Sequence, residues 1–278
     1  MPADLHLHSV YSDGSLTPRE LIEKAKSRGL SAVAIADHDT VEGTREALKA
    51  GKEAGVEVIP AIEFSTFSGP AEIHILGYYI DFRSDKLLGK VNEIFSAREE
   101  RARKMVQKLQ KMDIEITYSQ VKKLAGDNYV GRPHIARTLV KGGYVDEMGE
   151  AFSEELIGNN GRAYVEKYKI SPEEAIELIK TAGGIPVLAH PVFINHGEPL
   201  KYEDIEEFLN SGLEGLEVFH SRHDREACEY YKDVAGELGL LITGGSDYHG
   251  DNSPDIELGD ILLPDRYLSR LRKRGSRS

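Results

Sequence analysis

Alternating apolar runs and helical periodicities predict an α/β fold built from βα units around a mainly parallel sheet. Three observations carry this. Seven runs read as strands, amphipathic stretches of helical length separate most of them, and nearly every run carries a histidine, aspartate or glutamate at or near its end. Strand–helix alternation sets strands side by side in a parallel sheet, and seven such units closing on themselves give a (β/α)7 barrel, a relative of the eight-unit one. An open doubly wound sheet is the alternative arrangement of the same units.

The first run lies in "DLHLHSVYSDG", residues 4–14. Residues two apart on a strand share a face, so His6 and His8 project together while Leu5 and Leu7 pack behind them. Two parallel imidazoles suit a shared cation, although a lone His-x-His also describes two buried, hydrogen-bonded histidines. "TPRELIEKAKSRG" follows as a helix, with Thr17 as its cap and Pro18 in its first turn. The strand "SAVAIA", the helix "TVEGTREALKAGKEAG" and the strands "VEVIPAIEF" and "EIHILGYYI" complete the first half. In the second half, "SPEEAIELIKTAG", "KYEDIEEFLNSG" and "DREACEYYKDVAGELG" precede the strands "GIPVLAHP", "GLEGLEVFH" and "GLLITGGSDYH".

Between the halves the pattern becomes purely helical. "SDKLLGKVNEIFSAREERARKMVQKLQKM" is long, "TYSQVKKLAG" is short, and "GRPHIARTLVKGG" predicts a further helix starting near Arg132. The organisation read from the sequence is a barrel first half (1–83), a helical insertion (84–170), a barrel second half (171–264) and a basic C-terminal tail (265–278). The ending "RLRKRGSRS" predicts disorder for that tail.

The chain has 278 residues, 40% of them hydrophobic, and a net charge of −12, which argues against coating nucleic acid through a generally basic surface. Residues 86–170 carry 16 Lys and Arg against 12 Asp and Glu, leaving −16 for the remainder. That mildly basic segment can receive an anion, and a solvated helical face gives the same count. No apolar run approaches the ~20 residues that span a bilayer, and candidate ligands begin too early for a signal peptide, so the expectation is a cytoplasmic enzyme with no membrane partner. The single cysteine, Cys228, excludes an intrachain disulfide and a thiolate cluster. Any metal must be held by nitrogen and oxygen.

The residues suited to that task are His6, His8, His38 in "IADHDT", Glu63 in "IPAIEFS", His74 in "EIHILGY", His190 in "VLAHP", and Asp247 with His249 in "GGSDYHG". Asp13 lies just downstream of the first strand. In barrels the C-terminal strand ends form the face where active sites assemble. Scattered structural histidines have no reason to select it, so the pattern predicts a multi-metal site.

"DLHLHSVYSDG", "ADHDT", "AIEFS", "HILGY", "LAHP" and "GGSDYHG", in this order, closely resemble the PHP family, named for polymerase and histidinol phosphatase domains. The resemblance covers roughly residues 3–80 and 171–264. It implies a distorted seven-stranded barrel with two or three divalent cations, Mn, Fe or Zn, and hydrolysis of phosphoesters. Carried over, His6, His8, Glu63 and Asp247 hold one metal, Asp13, His38 and His249 a second, and Glu63, His74 and His190 a third. Asp13 stands where some members have histidine.

Such cations neutralise phosphate oxygens and lower the pKa of a bridging water, so that hydroxide attacks phosphorus in line. Asp247 is a ligand that can also orient the nucleophile. Insertion-bearing members with a stretch similar to "GRPHIAR" use it over the metal site, which makes Arg132 a phosphate contact and His134 a donor to the leaving oxygen. Ser221, Arg222 and His223 in "FHSRHD" add further contacts, Arg222 as a phosphate grip and His223 as an acid. A solvated polar loop is the plain alternative. His196 and His220 receive no role.

The function that the resemblance implies is removal of the 3′-phosphate from nucleoside 3′,5′-bisphosphates. A 5′-to-3′ exonuclease on RNA or short oligonucleotides, a histidinol-phosphate phosphatase and a non-catalytic metal-stabilised module are the alternatives. The expected partner is a small phosphorylated substrate or short RNA, with no obligate protein partner.

Overall fold

A computed structural model describes residues 2–126, 130–193 and 200–276. The elements are β1 (Ala3–Leu7), α1 (Pro18–Ser27), β2 (Ala32–Ile35), α2 (Thr44–Ala54), β3 (Glu57–Ser68), β4 (Ala71–Tyr78), α3 (Asp85–Gln110), α4 (Tyr118–Ala125), α5 (Arg132–Lys141), α6 (Met148–Ala151), α7 (Pro172–Thr181), β5 (Ile185–Leu188), α8 (Tyr202–Asn210), β6 (Gly215–His220), α9 (Arg225–Glu237), β7 (Leu241–Gly245) and α10 (Asp265–Gly275). They form two compact units. One runs to Gly89 and resumes at Lys169, and the other is Lys90–Tyr168, a few residues inside the 84–170 segment read from the sequence.

In the first unit, seven strands among the described residues follow sheet order β1 to β7. The sheet curls into a nearly closed barrel. Asp247 donates its N–H to His6 O at 2.9 Å and His8 donates to Tyr248 O at 3.0 Å, joining β1 to the chain after β7. A side chain at Gly245 would put its Cβ 2.3 Å from His6 N, so this close approach requires glycine. Around α1, Leu21, Ile22 and Ala25 pack with Leu7, Val33, Ile35 and Ala47. Thr17 and Glu20 form the reciprocal cap that starts that helix, with Pro18 in its first turn.

One strand departs from the parallel pattern: β4 is antiparallel to both β3 and β5. Its connection to β3 is only Gly69–Pro70, with Gly69 at φ 57°, and so short a loop permits no parallel crossover. This corrects where His74 stands. It lies in the first half of β4, opposite Ser65, and the reversal brings it to the end of the barrel where the parallel strands finish.

The second correction concerns the C-terminus. The charged ending hides an apolar stripe, Tyr267, Leu268 and Leu271, and these buried side chains anchor α10 where disorder was expected. Arg272 Nε lies 3.0 Å from Glu57 Oε2, and Arg274 pairs with Glu214 at 2.6 and 2.9 Å. The basic residues therefore face partners at the starts of β3 and β6.

The Lys90–Tyr168 unit has its own core of Met105, Val106, Leu109, Ile135, Leu139 and Ile157. Among the described residues, no helix is long and apolar enough to cross a membrane.

Leu271→Ala should lower stability by about 2–5 kcal/mol, the usual cost of truncating a fully buried leucine. Urea unfolding followed by circular dichroism measures this, and an unchanged midpoint would mean that α10 is not docked.

Candidate metal centre

The strands bring their polar ends together around one carboxylate. Glu63, midway along β3, has no solvent exposure. Its Oε2 lies 3.4 Å from His6 Nε2, 3.3 Å from His8 Nε2 and 3.1 Å from His38 Nδ1. Its Oε1 lies 3.1 Å from both His74 Nδ1 and His190 Nε2. Asp247, just after β7, places Oδ1 3.5 Å from His6 Nε2 and 3.1 Å from His8 Nε2. Beside them, Asp13 Oδ1 is 3.2 Å from His249 Nε2 and 3.6 Å from His8 Nδ1, and Asp13 Oδ2 is 3.8 Å from His38 Nε2. The structure thus brings together His6, His8, Asp13, His38, Glu63, His74, His190, Asp247 and His249.

Two buried aspartates hold the backbone that carries these groups. Asp37 accepts the Ser9 N–H at 2.7 Å and the hydroxyls of Ser9 and Ser12 at 2.6 Å, which shapes the turn leading to Asp13. Asp4 accepts the N–H of Ser246 at 2.8 Å, its hydroxyl at 2.6 Å and the Gly259 N–H at 2.9 Å, fixing the chain next to Asp247. Burial, only partly offset by these bonds, pushes the Asp4 carboxyl up to about 6. Asp247 and His190 have positive φ, 57° and 21°, a conformation that non-glycine residues keep only when their surroundings impose it.

Sequence reasoning missed both clamps and also Glu217 and His220. Asp4 had a visible signal, since it shares the alternation of His6 and His8. His220, given no role, lies 3.4 Å from Asp247 Oδ2. His196 lies outside the described residues.

Arg222 is half-exposed and 3.9 Å from Asp255. The Ser221 hydroxyl and His223 Nε2 are buried without a hydrogen bond. His223 Nδ1 faces only a carbonyl, Val218 O at 2.9 Å, so it is the protonated nitrogen and Nε2 is an acceptor. Burial pushes its pKa down to about 4, which opposes the acid role expected for it. In the second unit, α5 begins at Arg132 as the sequence predicts. Arg132 Nη1 donates to Asn159 Oδ1 at 2.9 Å, and Gly131 N–H donates to His134 Nδ1 at 3.1 Å, leaving the proton of a neutral ring on Nε2.

The donors fit divalent cations. His6 Nε2, both His8 nitrogens and Glu63 Oε2 are buried without hydrogen bonds, an arrangement that is costly unless a cation supplies the missing partner. Among the described residues, four overlapping groups offer ligand atoms within 4.8 Å of one another: His8, Asp13, His38 and His249; His6, His8 and Glu63; His38, Glu63 and His74; and His6, His220 and Asp247. All are nitrogen and oxygen donors.

A family model described as the PHP domain matches residues 4–185, more than half of the chain. The chain belongs to the PHP family. A 5′-3′ exoribonuclease of Haemophilus influenzae is 37% identical, over 94% of this chain and 96% of the relative. A 3′,5′-nucleoside bisphosphate phosphatase of Chromobacterium violaceum is 34% identical, over 94% and 92%. A solved structure from Bifidobacterium adolescentis, assigned as a metal-dependent phosphoesterase, superposes with a TM-score of 0.84 at 34% identity, covering 98% of this chain and 96% of that one.

Burial opposes charging of His74 and His249, but Glu63 beside the first and Asp13 beside the second raise them to about 10 and about 9. In metal-free PHP protein both are therefore cationic at pH 7. Their stabilising contribution is complete below the ordinary value of 6.5 and is lost as pH rises through about 9 to 10. Ligation requires neutral imidazole, so metal uptake at pH 7 should release protons and weaken on acidification. Adding Zn²⁺ to chelator-stripped protein in a weakly buffered indicator solution should acidify it, and uptake without proton release would contradict these charge states.

Proposed function

We propose that this chain is a metal-dependent phosphoesterase that removes the 3′-phosphate from nucleoside 3′,5′-bisphosphates. The observation that carries the hydrolytic reading is the buried Glu63 within 3.1–3.4 Å of five imidazoles, with its own Oε2, His6 Nε2 and both His8 nitrogens lacking hydrogen bonds, at the end of the barrel where the parallel strands finish. The bisphosphatase from Chromobacterium violaceum supports the substrate class. In this reading His6, His8, Glu63 and Asp247 hold one divalent cation, Asp13, His38 and His249 a second, and Glu63, His74 and His190 a third. An all-N/O set suits Mn, Fe or Zn. When bound, such cations neutralise phosphate oxygens and lower the pKa of water.

The chain's own groups do the positioning. Asp247 turns one oxygen toward His6 and His8, where it can orient the attacking water. Arg222, only loosely paired with Asp255, is free to swing onto the non-reacting 5′-phosphate as a donor-only fork. Ser221 Oγ and His223 Nε2, both lacking hydrogen bonds, meet substrate oxygens and hydroxyls, the histidine as acceptor. A second phosphate held away from the reacting centre positions the scissile one. The Haemophilus relative favours a second reading, 5′-3′ exonuclease action on RNA, which uses a similar anchor but accepts a longer chain.

With Mn²⁺-loaded protein, kcat/KM should be higher for a nucleoside 3′,5′-bisphosphate than for the matching 5′-monophosphate, a short 5′-phosphorylated RNA and histidinol phosphate. Arg222→Ala should cost about 1.5–3 kcal/mol on the bisphosphate, roughly 10- to 150-fold, with metal content unchanged. Equal values for the mono- and bisphosphate would defeat the two-anchor argument. Preference for RNA would move the assignment to the exonuclease, and no turnover of any substrate would leave the non-catalytic module.

A further inference from the structure

Strand β6 carries none of the residues placed on the three proposed cations, although its His220 falls in one of the donor groups, and two of its side chains stand directly behind those residues. Glu217 is fully buried and both of its oxygens are engaged. Oε1 lies 2.9 Å from His6 Nδ1, and Oε2 accepts the backbone N–H of His190 at 2.8 Å. A carboxylate only accepts, so His6 donates Nδ1–H to it and turns Nε2, which has no hydrogen bond, toward Glu63 and Asp247. The second oxygen tethers His190 where its φ is 21°.

Three residues on, His220 Nδ1 accepts the Arg222 N–H at 3.2 Å. Its proton is thereby left on Nε2, 3.4 Å from Asp247 Oδ2, while Asp247 Oδ1 faces His6 and His8. Simple alternation would send residues 217 and 220 to opposite faces of the sheet. A register shift between Glu217 and Phe219 turns both inward, the re-aiming that a bulge provides. Burying a carboxylate in a barrel interior is costly, and the hydrogen bonds of this one go to an imidazole and a backbone amide that the centre itself uses.

We propose that Glu217 and His220 are positioning residues of the metal centre. Glu217 fixes which nitrogen His6 offers to a cation and holds the backbone of His190, and His220 fixes which oxygen Asp247 offers. This rests on the reading of the cage as a metal centre. Orienting carboxylates of this kind change metal affinity by about 10- to 100-fold when removed, without themselves touching the ion.

The test compares Zn²⁺ affinity, by competition with a chelator, in the full chain, Glu217→Gln, His220→Phe and a Cys228→Ser control. The two β6 variants should bind about 10- to 100-fold more weakly. Metal-free Glu217→Gln should unfold earlier than the parent, because an amide offers one oxygen to two donors, His6 Nδ1–H and the His190 N–H, so affinities are compared in variants shown by circular dichroism to be folded. Parent-like affinity in folded Glu217→Gln would overturn the proposal. Should the variants fail to fold, nitrogen NMR of histidine-labelled, Zn²⁺-loaded parent protein decides. The proposal requires His6 to be protonated at Nδ1 and metallated at Nε2, and the reverse would overturn it. A parent chain that takes up no Zn²⁺ would overturn the metal-centre reading itself, a result separate from either of these.

Discussion

Glu63 is the constraint on which the arrangement depends. A carboxylate with no solvent exposure is costly unless charge or hydrogen bonds compensate it. Of the five imidazoles at 3.1–3.4 Å, His6 and His74 are held charged against burial by their carboxylate neighbours, whereas burial pushes His38 down to about 4 and His190 down as well. The imidazoles outweigh the effect of burial and hold its pKa well below the usual carboxylate range. Protons and divalent cations are alternative ways to meet the same electrostatic demand. Their exchange couples metal binding to pH.

The barrel makes this concentration of polar groups possible by distributing its support. Parallel strands finish at one end, and the single antiparallel strand contributes His74 at that end because its reversal places its early residues there. The backbone is then held from behind. Asp37 and Asp4 bind the segments leading to Asp13 and Asp247, and Glu217 binds His190. These bonds help to maintain the positive φ at His190 and Asp247, where strain would otherwise favour a different path for the chain. The rigidity of the donor geometry therefore comes from carboxylates that are not themselves donors.

Much of this was legible because its signals are local. The His-x-His alternation, the Thr17 cap and the polar strand ends depend on residues close in sequence, and a barrel of βα units follows from their order. The rest depended on contacts between distant residues. A two-residue Gly69–Pro70 connection reverses β4, which strand propensity alone does not reveal. The shift between Glu217 and Phe219 breaks the period-2 rule that would have placed Glu217 and His220 on opposite faces. At the C-terminus, net charge masked Tyr267, Leu268 and Leu271, whose spacing becomes meaningful once Glu57 and Glu214 are near enough to pair with the arginines.

The donors around Glu63 should act as one preorganised polynuclear site. Anomalous diffraction from crystals of the Mn²⁺-loaded protein, recorded on both sides of the manganese edge, tests it most directly. Two or three manganese peaks are expected, with Glu63 shared between two of the ions. A single peak, none, or peaks away from Glu63 would contradict that arrangement.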